Sequence, residues 1–173
     1  MNDPLKKKFQ EKSGAQRDEL KQFIKANADA QVDTVKLSQV TGGMRGIKSM
    51  LWETSALDPQ EGIRFRGYTI PQLREILPKV EGGKEPLPEG LFWLMLVNEV
   101  PTQEDVKWLS EEWARRAELP QQTTDVLNSL PEGTHPMTQF SIGITSMQSL
   151  SVFAQQYAEG MNKSDYWSAT YED

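Results

Sequence analysis

The chain has 173 residues, a formal net charge of −6 and no cysteine, and 37% of its residues are hydrophobic. That length suits one domain or a piece of a larger one; 25 acids against 19 bases disfavour a dedicated nucleic-acid binder, and the missing thiols exclude disulfides, thiolate metal sites and cysteine nucleophiles. One histidine, His135, is too few for a two-histidine metal centre or a paired imidazole acid and base.

The first predicted elements are two helical pieces, mostly exposed, carried by Leu5, Phe9, Leu20, Phe23 and Ile24 and broken at Ser13-Gly14. Lys6, Lys7 and Lys8 read as a solvated helix face, with a localisation or anion patch as the alternative. Met1-Asn2-Asp3-Pro4 has no apolar signal core behind it. From Gln31 to Arg66 the β-favouring residues Val32, Val35, Leu37 and Val40 lead into Gly42-Gly43-Met44-Arg45-Gly46. Short strands are expected around two turns, the second, Asp58 to Gly62, closing a hairpin between Ser49 to Ser55 and Ile63 to Arg66.

Beyond Gly67 the pattern is helical. Thr69 is a good N-cap, Pro71 fits a first turn, and Leu73, Ile76 and Leu77 share a face before Pro78. Leu91 to Val97 is a seven-residue apolar run behind Pro88, far short of the ~20 residues of a membrane span, and reads as a buried central helix. Thr102 caps the next helix, with Val106, Leu109, Trp113 and Ala117 inward. A shorter one runs from Thr123 to Leu130. A last long helix starts at Pro136 with Met137, Phe140, Ile144, Met147, Ala154 and Tyr157 on one stripe and Gly160 at its end. Its Ser141, Gly143 and Ser146 are small enough for another helix to approach closely. Ser164 or Asp165 caps a final helix from Tyr166, and the halt at Asp173 reads as a hint of a longer polypeptide.

These residues hold no complete catalytic set. Gly42 to Gly46 could cradle a phosphate beside Arg45, but the glycines read first as turn-formers, and the run lacks the P-loop ending and the dinucleotide spacing. Arg64 and Arg66 fall on one face of the expected strand, where pairing with Glu53, Asp58 or Glu61 is favoured over anion binding. His135 precedes a helix start, which suits a capping role, with hydrogen bonding to an incoming group as the alternative. Glu111 and Glu112 are adjacent and splay apart. Trp93, Trp108 and Trp113 are better explained by packing than by nucleotide stacking.

The motifs GGMRG, EGIRFRG, PLPEGLFWL, EVPT, HPM, YAEG, YW and YED, in this order and spacing, resemble the N-terminal portion of eukaryotic-type, mitochondrial citrate synthase, collinearly from Leu5 to Asp173. The resemblance implies a mainly α fold with a short β-hairpin near residues 49–66, residues 1–173 forming the N-terminal part of the large helical domain, and the rest of that domain and the small catalytic domain absent. It implies a transferase of the tricarboxylic acid cycle, a citrate (Si)-synthase that condenses acetyl-CoA with oxaloacetate and water to citrate and CoA. The family's catalytic His, His and Asp would lie beyond Asp173, so this segment is expected to be inactive alone, and His135 takes the family's structural HPM position.

CoA binding is implied for Arg45, across a dimer interface, and for Lys163, where animal enzymes carry arginine; a point charge there replaces a bidentate fork. Residues 5–27 match the family's peripheral N-terminal helix, and the helix from Pro136 matches a region that helps build the homodimer interface. The resemblance implies no metal and no cofactor, acetyl-CoA being a substrate. It also implies a mitochondrial-matrix location with the presequence absent, a peroxisomal or cytosolic one being the alternative. The competing class is a non-catalytic, citrate synthase-derived structural or interaction subunit.

Overall fold

The Asp3 carboxylate starts the first helix by accepting the Lys6 N–H at 2.8 Å, with Pro4 as its first residue. The structure, a computed structural model, describes residues 3–48 and 54–173. In it α1 (Pro4–Ala26) is one uninterrupted helix, not the expected two pieces. Gly14 costs a helix roughly 1 kcal/mol, too little to break a run flanked by Gln10, Glu11, Lys12, Ala15, Gln16 and Arg17, all strong formers.

Two compact units follow one another, Met1–Glu111 and Glu112–Asp173. In the first, α1 packs on α4 (Pro88–Val97), and its only buried residue is Leu5. The lysine run is not simply solvated. Lys8 lies 5.0 Å from the centroid of the Trp93 ring and 3.6 Å from Asp105, while Lys12 pairs with Glu99. In α4 the buried residues Gly90, Trp93, Leu94 and Val97 follow i, i+3, i+4, i+7 spacing, so one stripe is buried and Phe92 stays exposed. Gly90 is closely packed: a Cβ there would meet Leu77 and Pro78 side chains at 3.5–3.6 Å, in ordinary van der Waals contact.

Between α1 and the sheet the expected strand at Val32 to Val40 is replaced by exposed chain and a short helix, α2 (Leu37–Thr41). Val32 and Val35 are exposed, and among the described residues no strand pairs with them. The hairpin exists, in a shifted register: β1 (Ser55–Asp58) pairs antiparallel with β2 (Gly62–Phe65), Ser55 opposite Phe65. Residues 49–53, where the first strand was expected to begin, lie outside the described residues. The Asp58 carboxylate accepts the Gln60 and Glu61 N–H groups, both at 2.8 Å, and holds the turn. A third strand that patterning missed, β3 (Tyr68–Thr69), returns along β2.

Thr69 then caps α3 (Ile70–Ile76) in a reciprocal capping box with Gln72. Leu73 and Leu77 face inward and join Leu94, with Phe65, Tyr68 and Leu91 packed around them; Ile76, expected on the same face, is exposed. Thr102 opens α5 (Gln103–Arg116), its N–H donating to Asp105 at 2.9 Å and its hydroxyl accepting from the Asp105 N–H at 3.1 Å. Val106 and Leu109 are buried, whereas Trp113 is partly exposed.

In the second unit α6 runs Gln121–Asn128, two residues earlier at each end than expected. It lies against α7 (Pro136–Ser146). The small residues of α7 serve this contact: Gly143 is buried with Leu127 3.5 Å from where its Cβ would be, and Ser146 Oγ is hydrogen-bonded to Thr123 Oγ1 at 3.1 Å. The close helix approach expected from the small residues Gly143 and Ser146 is made by α6 of the same chain. Ser141 instead donates to the Met137 carbonyl of its own helix at 2.8 Å.

The expected long helix is also three segments: α7, a 3-10 turn (Met147–Leu150) and α8 (Val152–Ala158). Serines cause the break, because their hydroxyls compete for backbone groups. Ser146 donates to the Gly143 carbonyl at 2.8 Å, and Ser151 accepts the Ala154 N–H at 2.9 Å as the N-cap of α8. Gly160, at φ 87°, follows α8 as predicted. The final helix, α9 (Tyr166–Glu172), has Asp165 at its N-cap position but no side-chain cap bond from it.

The two acids that close the sequence do different work. Glu172 pairs with Arg116 at 3.4 Å, and Arg116 with Arg115 also binds Glu112. Asp173 accepts Ser151 Oγ and the Val152 N–H, both at 2.6 Å, and the Phe153 N–H at 3.3 Å, so it caps α8 from a helix away. Burial disfavours its charge, but the bonds from Ser151, Val152 and Phe153 outweigh it and hold the carboxyl below its ordinary value.

A carboxyl with a lowered folded pKa stabilises fully above its unfolded value, about 3.9, and loses that contribution as pH falls through the folded value. Asp173→Ala is therefore expected to cost roughly 0.5–2 kcal/mol near neutral pH, the range for a lost cap. The cost should shrink below about pH 4. Denaturant unfolding of the full-length variant at pH 7 and pH 3 checks this, and an equal cost at both values would contradict a charged cap.

Candidate functional site

Arg45 sits at the tip of a turn that cannot be built from ordinary backbone. Gly43, Met44 and Gly46 have φ of 78°, 64° and 70°. Glycine reaches these angles without a Cβ clash, while Met44 does so at a strain of order 1–3 kcal/mol. The turn is closed by Gly42 N–H to Ser38 O at 3.0 Å and Met44 N–H to Gln39 O at 2.8 Å. The Gln39 carboxamide spans it, accepting the Lys36 N–H through Oε1 at 2.8 Å and donating to the Gly46 carbonyl through Nε2 at 3.1 Å. Behind it Asp33 accepts the Lys48 N–H at 3.2 Å and the Thr34 N–H at 2.7 Å, which lowers its pKa, Lys48 contributing most.

Arg45 itself is exposed and makes no hydrogen bond or ion pair among the described residues. Its guanidinium is available to an outside anion, and the loop beneath it is pinned by four of its neighbours. No other anchor is legible from spacing alone, and Gln39 was missed because its role depends on the chain folding back on itself seven residues later.

Lys163, in the second unit, begins a 3-10 turn (Lys163–Asp165). It is exposed and likewise has no hydrogen-bond or ion-pair partner among the described residues. Its turn is set by Asp165 N–H to Asn162 O at 2.9 Å and Met161 N–H to Gln156 O at 3.0 Å. Close in sequence, Phe153, Tyr157 and Tyr166 cluster with ring centroids 5.3–5.9 Å apart and stiffen the α8 and α9 pairing.

The other candidates resolve into structural roles. Arg64 forks onto Glu61 and donates to the Gly67 carbonyl at 2.8 Å; that pairing lowers the Glu61 pKa and raises that of Arg64. Arg66 does not share its face, because φ at Arg66 is 48° and takes it out of the strand. It donates to the Met95 carbonyl at 2.6 and 3.0 Å, near the C-terminal end of α4, where a cation suits the helix dipole. His135 caps α7, its Nδ1 accepting the Met137 N–H at 3.2 Å, which fulfils the capping expectation and puts the neutral ring's proton on Nε2. Glu112 lies between Arg115 and Arg116, whose bonds bring its pKa down to about 2, and so it is not a general base. Among the described residues no three His, Asp or Glu side chains gather as a metal site, and no helix is long and apolar enough to cross a membrane.

The α6–α7 layer leaves an apolar stripe open. Met137, Phe140 and Ile144 are 53–63% exposed, and Phe140 and Ile144, with Leu119, Leu127 and Met147, edge a shallow groove.

Comparison with known proteins places this architecture. A family model described as "Citrate synthase, C-terminal domain" matches residues 43–172. The chain is 52% identical to the mitochondrial citrate synthase of Saccharomyces cerevisiae over 98% of its own length and 35% of that protein. It is 48% identical to that of Aspergillus niger over 98% of the chain and 36% of the relative, and 51% identical to that of Xiphias gladius over 89% and 33%. The chain thus spans about a third of the length of the curated relatives it matches. The mainly helical structure, the family match over residues 43–172 and identity near one residue in two agree, and the chain belongs to the citrate synthase family.

Proposed function

We propose that the chain is the front part of the large helical domain of a citrate synthase that joins acetyl-CoA to oxaloacetate and releases citrate and CoA. The observation that carries this reading is its identity of about one half, over nearly all its length, to relatives named for that activity. The matching model's description names a C-terminal domain, whereas the order of motifs resembles the front of the family, so the position within the enzyme is part of the proposal.

The reaction needs a base to enolise the acetyl methyl group, an addition to the oxaloacetate carbonyl, and hydrolysis of the thioester. Nothing in the described residues is arranged for the first step: His135 caps a helix and Glu112 is held by two arginines. The catalytic histidines and aspartate belong to the two thirds of the relatives' length that this chain does not span. The role of this segment is binding and assembly. Arg45, exposed on a braced turn, and Lys163 supply cations to the CoA phosphates, the first with a planar fork and the second as a point charge. The exposed stripe of Met137, Phe140 and Ile144 fits burial in a homodimer, and the relatives, which are mitochondrial citrate synthases, fit a matrix location. Acetyl-CoA is a substrate, and no cofactor is invoked.

The test is thiol release from acetyl-CoA in the presence of oxaloacetate. A full-length enzyme containing these residues should form citrate, and the 173-residue segment alone should not. Turnover by the segment would overturn the placement of the base, and an inert full-length protein would favour a structural relative.

A further inference from the structure

We infer that Gln39 is a positioning residue for the CoA-phosphate contact of Arg45; this rests on the reading of Arg45 given above. The Gly43 to Gly46 turn carries three left-handed residues, one of them the non-glycine Met44, and Arg45 makes no contact among the described residues that would orient it. Whatever fixes the direction of its side chain must act through the backbone. Asp33 ties the outer ends of the segment at Thr34 and Lys48, and the Gln39 side chain bonds the turn itself: its Oε1 accepts from Lys36 N–H at 2.8 Å, and its Nε2 donates to the Gly46 carbonyl at 3.1 Å. Its own carbonyl accepts the Met44 N–H at 2.8 Å. One residue thus touches the backbone on either side of Arg45.

The second bond requires a donor at that position and the first requires an acceptor, so only a carboxamide at this reach serves both. A carboxylate would keep the Lys36 bond and set an acceptor against the Gly46 carbonyl. Loosening Gly46 lets the strained turn relax, and an arginine on a relaxed turn meets the phosphate from a broader set of directions, which weakens binding without touching the chemistry. Gln39 is half-buried, so the thermal midpoint is read alongside the Michaelis constant to separate positioning from packing.

The experiment compares Gln39→Ala, Gln39→Glu, Arg45→Ala and the double variant Gln39→Ala/Arg45→Ala in the full-length enzyme. Both Gln39 variants should raise the Michaelis constant for acetyl-CoA by roughly two- to tenfold, the effect of one hydrogen bond. kcat, the constant for oxaloacetate and the thermal midpoint should stay near wild type. The double variant should match Arg45→Ala, because a positioning residue has nothing left to position. If Arg45→Ala raises the acetyl-CoA constant while the Gln39 variants do not, or if their effects multiply, the positioning role is wrong and the Arg45 reading survives. If Gln39 variants lower the thermal midpoint without changing the constant, the residue is merely structural. If Arg45→Ala has no effect, both readings fall.

Discussion

Trp93→Ala is expected to destabilise the full-length enzyme by roughly 3–5 kcal/mol, the range for truncating a buried aromatic in a packed core. Trp93 is wholly buried in the middle of the α4 stripe, and its ring also carries the Lys8 ammonium on its face. Truncation leaves a cavity beside Leu94 and Val97 and removes the surface that α1 docks on. The indole Nε1 has no hydrogen-bond partner, and an unsatisfied buried donor costs about 1–3 kcal/mol. Trp93→Phe should therefore be milder than the loss of volume alone suggests, since it deletes that donor while keeping a ring under Lys8. Denaturant unfolding of the two variants checks both the size and the order. An alanine variant within about 1 kcal/mol of wild type would mean that the core does not centre on α4, given the values typical of such substitutions.

Arg45→Ala should weaken acetyl-CoA binding by ~1–3 kcal/mol, a rise of about 5- to 150-fold in its Michaelis constant, as expected for charge-assisted hydrogen bonds to phosphate. The loss should appear in that constant and spare kcat, because a distant phosphate contact is made equally in ground and transition states. Arg45→Lys should fall between, keeping the charge and losing the planar fork. The effect should also diminish as salt rises, since an exposed cation is screened over about 8–10 Å at physiological ionic strength. Isothermal titration with CoA at two salt concentrations gives a second readout. An unchanged constant at low salt would remove Arg45 from the phosphate site.

Elements with local signals were legible in advance. The Thr69 capping box, the Pro-initiated α4 and α7, the Thr102 cap and the turn at Asp58 each depend on side chains within four residues of the backbone they bond. The errors arose where distance in sequence decided. Val32 to Val40 has strand-forming residues, but no strand among the described residues pairs with them, and a short helix formed at Leu37 instead. Arg64 and Arg66 alternate on paper, yet the left-handed φ at Arg66 turns it toward α4. The stripe from Met137 to Tyr157 is continuous in periodicity, and it was cut by serine hydroxyls and by the carboxylate of Asp173.

Composition and motif order alone determined the family, the mainly helical class and the absence of thiol or paired-histidine chemistry, because residue inventory and local capping need no partner far along the chain. Only tertiary structure decided that Gly143 and Ser146 serve α6, that Glu112 is tied between two arginines, and that Arg45, with no ion pair among the described residues, stands on a turn braced by Gln39. Each of these depends on which groups meet after the chain has folded back. The free energy of a cation or a small residue is set by those neighbours and by what they exclude, and a linear order does not specify it.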